Sequence, residues 1–245
     1  MDKAGTTSQT RMIKIEGLTK TFGNQHALRG IDIEVEHGES VAVLGPNGAG
    51  KTTLIKVLSS IIKPSSGKIT IDGLSLKDNA EDIRRRIGVV THQTFLYQSL
   101  TIYENLEFYG RMFDIPQRKQ RIQQMVEMIG MTSRINDQIG TFSRGMQQRV
   151  SLARALLHQP SIILLDEPES GLDQQALAML WETLLRDTEE KITLILTTHN
   201  LKRGLAIGER LLIMDKGRIT YQESSQNLNL DSLREAYYSN TGVRV

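Results

Sequence analysis

The sequence predicts an α/β protein with a parallel sheet at its core, an antiparallel β portion near the N-terminus and a helical segment inserted between two core strands. Three observations carry that expectation. After about residue 157, SIILLD, TLILTTH and RLLIMD are short continuous apolar runs separated by helical segments, the pattern of strands buried on both faces in βαβ units. Before about residue 90, the runs MIKIEGL, IDIEVE, SVAVLG, KITIDG and RIGVV are β-rich and punctuated by Gly17, Gly30, Gly38, Gly67 and Gly73. Between these regions, from 95 to 157, the periodicity is helical and no strand stands out.

Taken in order, residues 1–11 (MDKAGTTSQTR) are polar, lack the apolar centre of a signal peptide and read as a loose tail. The β-rich runs follow, and SVAVLG leads directly into a glycine loop and the helix TTLIKVLSSI. RIGVV closes this region, the helical insertion occupies 95–157, and the three buried strands with their helices complete a domain expected over 12–221. Residues 222–245 form a short polar extension whose one amphipathic candidate, DSLREAYY, is expected as a solvated end helix.

At 245 residues the chain can bury a sizeable core as one functional unit. Its formal charge of +2 gives no polyanion-binding surface, so nucleic acid is not an expected partner. Cysteine is absent, which excludes disulfides, thiolate catalysis and zinc-cysteine sites and suits a reducing compartment. The apolar runs are strand-length and fall short of the roughly 20 residues that span a bilayer, so the expected protein is soluble by itself and free to dock on a membrane partner.

The strongest chemical signal is GPNGAGKT, residues 45–52, which matches G-x-x-x-x-G-K-[ST] between a strand and a helix. Gly45, Asn47, Gly48, Ala49 and Gly50 let backbone N–H groups turn around phosphate; Lys51 reaches the β and γ phosphates; Thr52 can ligate magnesium, with Thr53 beside it. LLDEP, 164–168, ends an apolar strand in two carboxylates. Asp166 is placed to hold magnesium and Glu167 to orient or deprotonate an attacking water, provided a turn at Glu167 and Pro168 brings both to one side. His199 ends another apolar strand, where open α/β sheets place ligands, and is either a phosphate sensor or a structural histidine. Gln93, just after RIGVV, could offer a neutral oxygen to magnesium or position water; otherwise it is an ordinary loop residue. Phe22 is either an adenine-stacking face or a plain turn residue. Finally, TFSRGMQQRVSLARAL, 141–156, opens a second helix with a hydroxyl, a glycine and an arginine, as though for an anion.

These motifs, in this order over residues 12 to about 221, resemble the nucleotide-binding subunit of ABC transporters. The resemblance implies a RecA-like P-loop NTPase fold, ATP and Mg2+ as ligands, and hydrolysis of ATP. It makes Gln93, the SGLD segment containing Asp173, and His199 the Q-, D- and H-loop residues, and Phe22 the adenine-stacking aromatic. It also implies that two subunits, copies or paralogues, pack head to tail, so that Ser143 and Gly145 of one chain meet the ATP held by the other. The family's Leu-Ser-Gly-Gly-Gln is here Phe142, Ser143, Arg144, Gly145 and Met146. Arg144 in place of the first glycine is not suited to positive φ and is expected to project toward nucleotide or across the dimer, or to be a passive surface residue.

Residues 95–113 hold six of the twelve Phe, Tyr and Trp side chains, which serve either the core of the helical lobe or a groove for a partner's helix. The resemblance places an integral membrane subunit against this stretch, with the ATPase peripheral on the inner, cytoplasmic face of the membrane. More narrowly, SRGM and the short chain are similar to exporter ATPases of the ABC-2 type, including the haem exporter of cytochrome c maturation. Export of drug, lipid or polysaccharide, and a soluble ABC ATPase that moves no solute, are the alternatives.

Overall fold

The computed structural model describes residues 11–170, 174–184 and 191–244, which are organised around two sheets. In the first, antiparallel sheet, β1 (Arg11–Phe22) and β2 (Gln25–Glu36) form a long hairpin. The chain then leaves through β3 (Ser40–Leu44) and returns as β4 (Ser66–Ile71), which pairs with the other side of β1 and with the two-residue β5 (Leu74–Ser75). β1 and β2 are longer than the runs that announce them. Register shifts, as between Ile15 and Leu18, break the apolar alternation while strand pairing continues.

The second sheet has the order β10-β9-β3-β8-β7-β6, with β6 (Ile87–Val90), β7 (Ile162–Asp166), β8 (Thr193–Thr198), β9 (Arg210–Asp215) and β10 (Arg218–Ser224). It is parallel except for β10, which returns antiparallel on β9. Period-two alternation distributes each central strand between two covered faces. Val41, Val43, Ile162, Leu164, Ile195 and Leu212 pack toward the N-terminal sheet and α1 (Lys51–Leu58), and the small helix α2 (Ala80–Arg84) adds Ile83 to this layer. On the opposite face, Ile163, Leu165, Leu194 and Leu196 join the core of the helical insertion.

That insertion lies between the neighbouring strands β6 and β7 and comprises α3 (Ile102–Met112), α4 (Arg118–Met128) and α5 (Arg144–Leu156). The start of α3 is set by a reciprocal cap: Thr101 Oγ1 accepts from Glu104 N at 3.1 Å, and a Glu104 carboxylate oxygen accepts from Thr101 N at 2.8 Å. Three further helices, α6 (Gln174–Leu184), α7 (Leu201–Ile207) and α8 (Leu230–Thr241), follow the later strands.

α8 departs from the solvated end helix expected from sequence. Leu233 and Tyr237 are fully buried and close a third core with Ala42, Leu44, Leu201, Leu211 and Ile213, so α8 packs on β9 beside α7, which lies on β3, and the two helices cover the face that the helical insertion leaves uncovered. The i, i+4 apolar pair of α8 is flanked by Leu230 and Ala236, which pack partly on the same core, while Asp231, Arg234, Glu235, Tyr238 and Ser239 face water.

Just after α5, His158 stacks on Phe113 with ring centroids 4.1 Å apart and donates from Nε2 to the Ile87 carbonyl at 3.1 Å. Burial, opposed by that hydrogen bond and assisted by Arg154 and Arg121, lowers its pKa to about 4. The folded protein therefore favours neutral His158. The associated stability is fully present above the ordinary value near 6.5 and is lost as the pH falls toward 4. Between pH 7 and pH 5 the wild type is expected to lose about 2 kcal/mol more than His158→Gln. Urea titrations at the two pH values measure this; parallel losses would contradict the buried neutral imidazole.

Candidate functional site

Strands β3, β8 and β7 are neighbours and parallel, so the turns after their C-terminal ends meet at one edge of the sheet. After β3, residues 45–50 form the loop that opens α1. At Gly50 φ is +106°, and a Cβ there would lie 2.6 Å from the Ala27 carbonyl; a Cβ on Gly45 would lie 2.3 Å from the Met214 carbonyl. The loop can therefore press against β2 and β9 and keep its inner face open. Lys51 is buried, and its Nζ donates to the carbonyls of Gly45 at 2.7 Å and Pro46 at 3.2 Å.

The acidic strand end meets this loop directly. Buried Asp166 accepts from Thr52 Oγ1 at 3.0 Å and from Thr197 Oγ1 at 2.8 Å. Glu167 takes the left-handed conformation, with φ of +47°, and a short 3-10 turn begins at Pro168. The two adjacent carboxylates consequently reach the same side, as their proposed joint use demands. Glu167 lies 3.1 Å from Lys51 Nζ and 3.3 Å from His199 Nδ1.

A cavity of about 560 Å³ unites much of the sequence-derived set. Phe22, Asn47, Gly48, Ala49, Gly50, Lys51, Thr52, Thr53 and Glu167 line it, while Gly45 supports the loop from behind. Phe22 stands at the mouth, 48% exposed, with Lys20 Nζ 4.8 Å from its ring centroid. Gln25, His26, Ala27, Arg29 and Lys216 also line the cavity and were missed from sequence. They lie in a hairpin and a Lys-Gly turn that carry no motif. Thr197 was overlooked beside His199, although a hydroxyl two residues before a strand-end histidine was a readable signal.

Gln93 and Arg144 are placed elsewhere: with His92, Thr94, Phe95 and Gln147 they line a second cavity of about 700 Å³. Ser143 caps α5, its Oγ accepting from Met146 N at 3.4 Å, and Gly145 follows in the first turn. Arg144 is the first residue of that helix and takes no positive φ, so its unsuitability for that conformation is not called upon. It is exposed beside its own chain's Gln93 loop. Asp173 lies outside the described residues.

The aromatic stretch divides in two. Tyr103, Tyr109 and Phe113 pack on the helical core, whereas Phe95, Tyr97 and Phe108 are exposed, with the Tyr97 and Phe108 rings edge-to-face at 5.1 Å. The Tyr97 backbone is held by buried Asn105, which accepts from its N–H at 2.8 Å and donates to its carbonyl at 3.0 Å.

The cavity suits a nucleoside triphosphate with a hard cation. The loop brings a helix start and a buried lysine to the cavity, and Thr52 and Asp166 supply oxygen donors of the kind magnesium takes together with phosphate oxygens. A glycine loop at a helix start, facing an acidic strand end across a parallel sheet, defines a P-loop nucleotide-binding protein.

Comparison with known proteins narrows that class. Residues 28–170, more than half of the chain, match the ABC transporter family. The linearmycin resistance ATP-binding protein LnrL of Bacillus subtilis (strain 168) is 35% identical over 85% of this chain and 68% of its own length. Nod factor export ATP-binding protein I of Rhizobium sp. (strain N33) is 36% identical over 84% of this chain and 68% of its own length. Among solved structures, the dimeric post-hydrolysis cassette MJ0796 bound to ADP and Pi superposes with a TM-score of 0.77 at 29% identity, covering 87% of this chain and 99% of that one. An ATP-binding subunit of an ABC transporter superposes with a TM-score of 0.82 at 27% identity, covering 95% of each chain. The chain belongs to the ABC transporter family and is an ATP-binding, ATP-hydrolysing cassette of it.

Proposed function

We propose that this cassette powers an exporter through ATP-driven closure of a head-to-tail dimer, formed with a second copy or a paralogue. The observation that carries the reading is the placement of Glu167 between Lys51 and His199 at the mouth of a cavity that Ser143, Arg144 and Gly145 of the same chain do not line. A helix start outside its own chain's site is what a composite site between two chains requires.

In that site Phe22 stacks on adenine, the loop from Gly45 to Thr53 wraps the phosphates, and Lys51 holds the β and γ groups. Thr52 and Asp166, with Gln93 after closure, would hold magnesium, which neutralises charge on the phosphates when bound. Glu167 takes a proton from the attacking water as its oxygen bonds to the γ phosphorus. The bond to the bridging oxygen breaks, and ADP and phosphate leave. His199 contacts the γ phosphate and holds Glu167 in place. Ser143 and Gly145 of the opposite subunit complete the phosphate shell through a helix N-terminus, and Arg144 adds positive charge.

Relatives named for linearmycin resistance and Nod factor export support export over a cassette that moves no solute. They favour a drug, lipid or polysaccharide cargo over the haem suggested by SRGM. No helix among the described residues is long and apolar enough to cross a membrane. We assign the membrane path to a separate integral subunit that docks on Phe95, Tyr97 and Phe108, with the cassette on the cytoplasmic face.

Affinity purification from native membranes tests this assignment. An integral membrane protein should co-purify with the wild type, and Tyr97→Ala with Phe108→Ala should reduce its recovery at least about tenfold, as expected for exposed aromatic anchors. Equal recovery with both chains, or no integral membrane protein with either, would overturn it. Melting temperature provides the control, since both rings are exposed.

A further inference from the structure

The loop after β6 contains a bulky residue in a conformation that bulky residues avoid. Phe95 has φ of +55°, in the left-handed region, two residues after Gln93. Such a turn persists only where its surroundings over-determine it. Here two helices do so. From α3, the Tyr109 hydroxyl donates to the Phe95 carbonyl. From α5, the Arg154 guanidinium lies 5.4 Å from the ring centroids of both Phe95 and Tyr109, and its Nη2 donates to the Val89 carbonyl in β6 at 2.7 Å. Burial raises the Tyr109 pKa, so the phenol remains a donor.

α5 also holds the loop on the Gln93 side. Gln148 of α5 donates to the carbonyls of Thr91 at 3.2 Å and His92 at 3.1 Å. Thr91 Oγ1 accepts from Gln93 N at 3.1 Å and donates to Gln93 O at 3.0 Å. The backbone of Gln93 is thus tied to Thr91, just after β6, and Thr91 is held in turn by α5, the helix that Ser143 caps.

We propose that Tyr109 and Arg154 are positioning residues for ATP hydrolysis: they latch Phe95 in its left-handed turn and thereby set where the loop presents Gln93 when α5 moves. This rests on the proposed role of Gln93 at the nucleotide. The latch also lies under the exposed face of Phe95, so a partner pressing there acts on the same turn. Tyr109→Phe keeps the ring and its packing and removes only the hydroxyl. Phe95→Gly makes the positive φ free of strain, so that the hydroxyl has less to hold.

The experiment measures ATPase kinetics of the purified full chain, with hydrogen exchange over residues 91–96, for Tyr109→Phe, Phe95→Gly, their double variant and Gln93→Ala. Tyr109→Phe should lower kcat about tenfold with KM for ATP unchanged, since a displaced positioning group affects turnover more than binding. It should also speed exchange in 91–96. In the Phe95→Gly background the same change should alter kcat less than about twofold, the non-additivity expected of coupled groups. Tyr109→Phe with normal kcat, or with an equal loss in both backgrounds, would overturn the latch while a slow Gln93→Ala left the Gln93 reading intact. Normal turnover of Gln93→Ala would instead overturn the Gln93 reading itself, whatever the exchange rates show.

Discussion

Glu167→Gln is expected to bind ATP, turn it over about 10²–10⁴-fold more slowly than the wild type, and accumulate as an ATP-dependent dimer. The size of the loss follows from what the substitution removes. An amide has the shape of the carboxylate, and its one oxygen can still accept from Lys51, which stands 3.1 Å from a Glu167 oxygen, while its NH2 can only donate toward His199, 3.3 Å from the other. It cannot take a proton from water. It also removes one negative charge from the place the γ phosphate must approach, which strengthens binding of the triphosphate as hydrolysis fails. Closure that normally ends with phosphate release then has no exit. Size-exclusion chromatography with and without ATP, alongside phosphate release, measures both parts. Turnover within about twofold of the wild type, or a chain that stays monomeric with ATP, would refute the assignment. An unchanged melting temperature is expected because the left-handed backbone at Glu167 is retained.

The parts of this site that were legible in sequence are those whose chemistry is local. GPNGAGKT specifies its turn, its helix start and its lysine within eight residues, and the strand ends at Asp166 and His199 announce themselves by an apolar run that stops in a titratable group. The contacts that hold the site in place join distant segments and have no such signature. Tyr109 reaches Phe95 across 14 residues and Arg154 reaches Val89 across 65, and nothing near either residue signals the partner. β10 was invisible because RITYQES is mixed in polarity: as an edge strand it pairs only with β9 and needs no second apolar face. α8 was misjudged for a related reason. Its burial centres on two side chains, Leu233 and Tyr237, and the value of that pair becomes apparent only once β9 and α7 present the surface on which it packs.

Ser143→Glu is expected to abolish ATP-dependent dimerisation and hydrolysis while leaving ATP binding by the monomer unchanged. Ser143 is exposed and its side chain makes one long capping contact, so replacing it costs the fold no more than about 1 kcal/mol. It lines no part of its own chain's loop cavity, and a carboxylate there leaves Lys51 and Thr52 untouched. In a head-to-tail dimer the same carboxylate would face the γ phosphate of the opposite chain, where like charge opposes closure. Lys51→Ala should also be inactive, for the reverse reason: it removes the main positive contact within the chain's own site. Mixing the two inactive chains separates action in trans from action in cis. In the heterodimer one composite site carries both lesions and the other carries neither, so activity should return to about a quarter of wild type at equal mixing, half of the dimers being mixed and each having one intact site. If Ser143 acted on its own chain's nucleotide, both sites of every heterodimer would carry a lesion and mixing would restore nothing. A Ser143→Glu chain that closes and hydrolyses ATP at the wild-type rate would make the start of α5 an ordinary helix cap and remove the basis for a shared site.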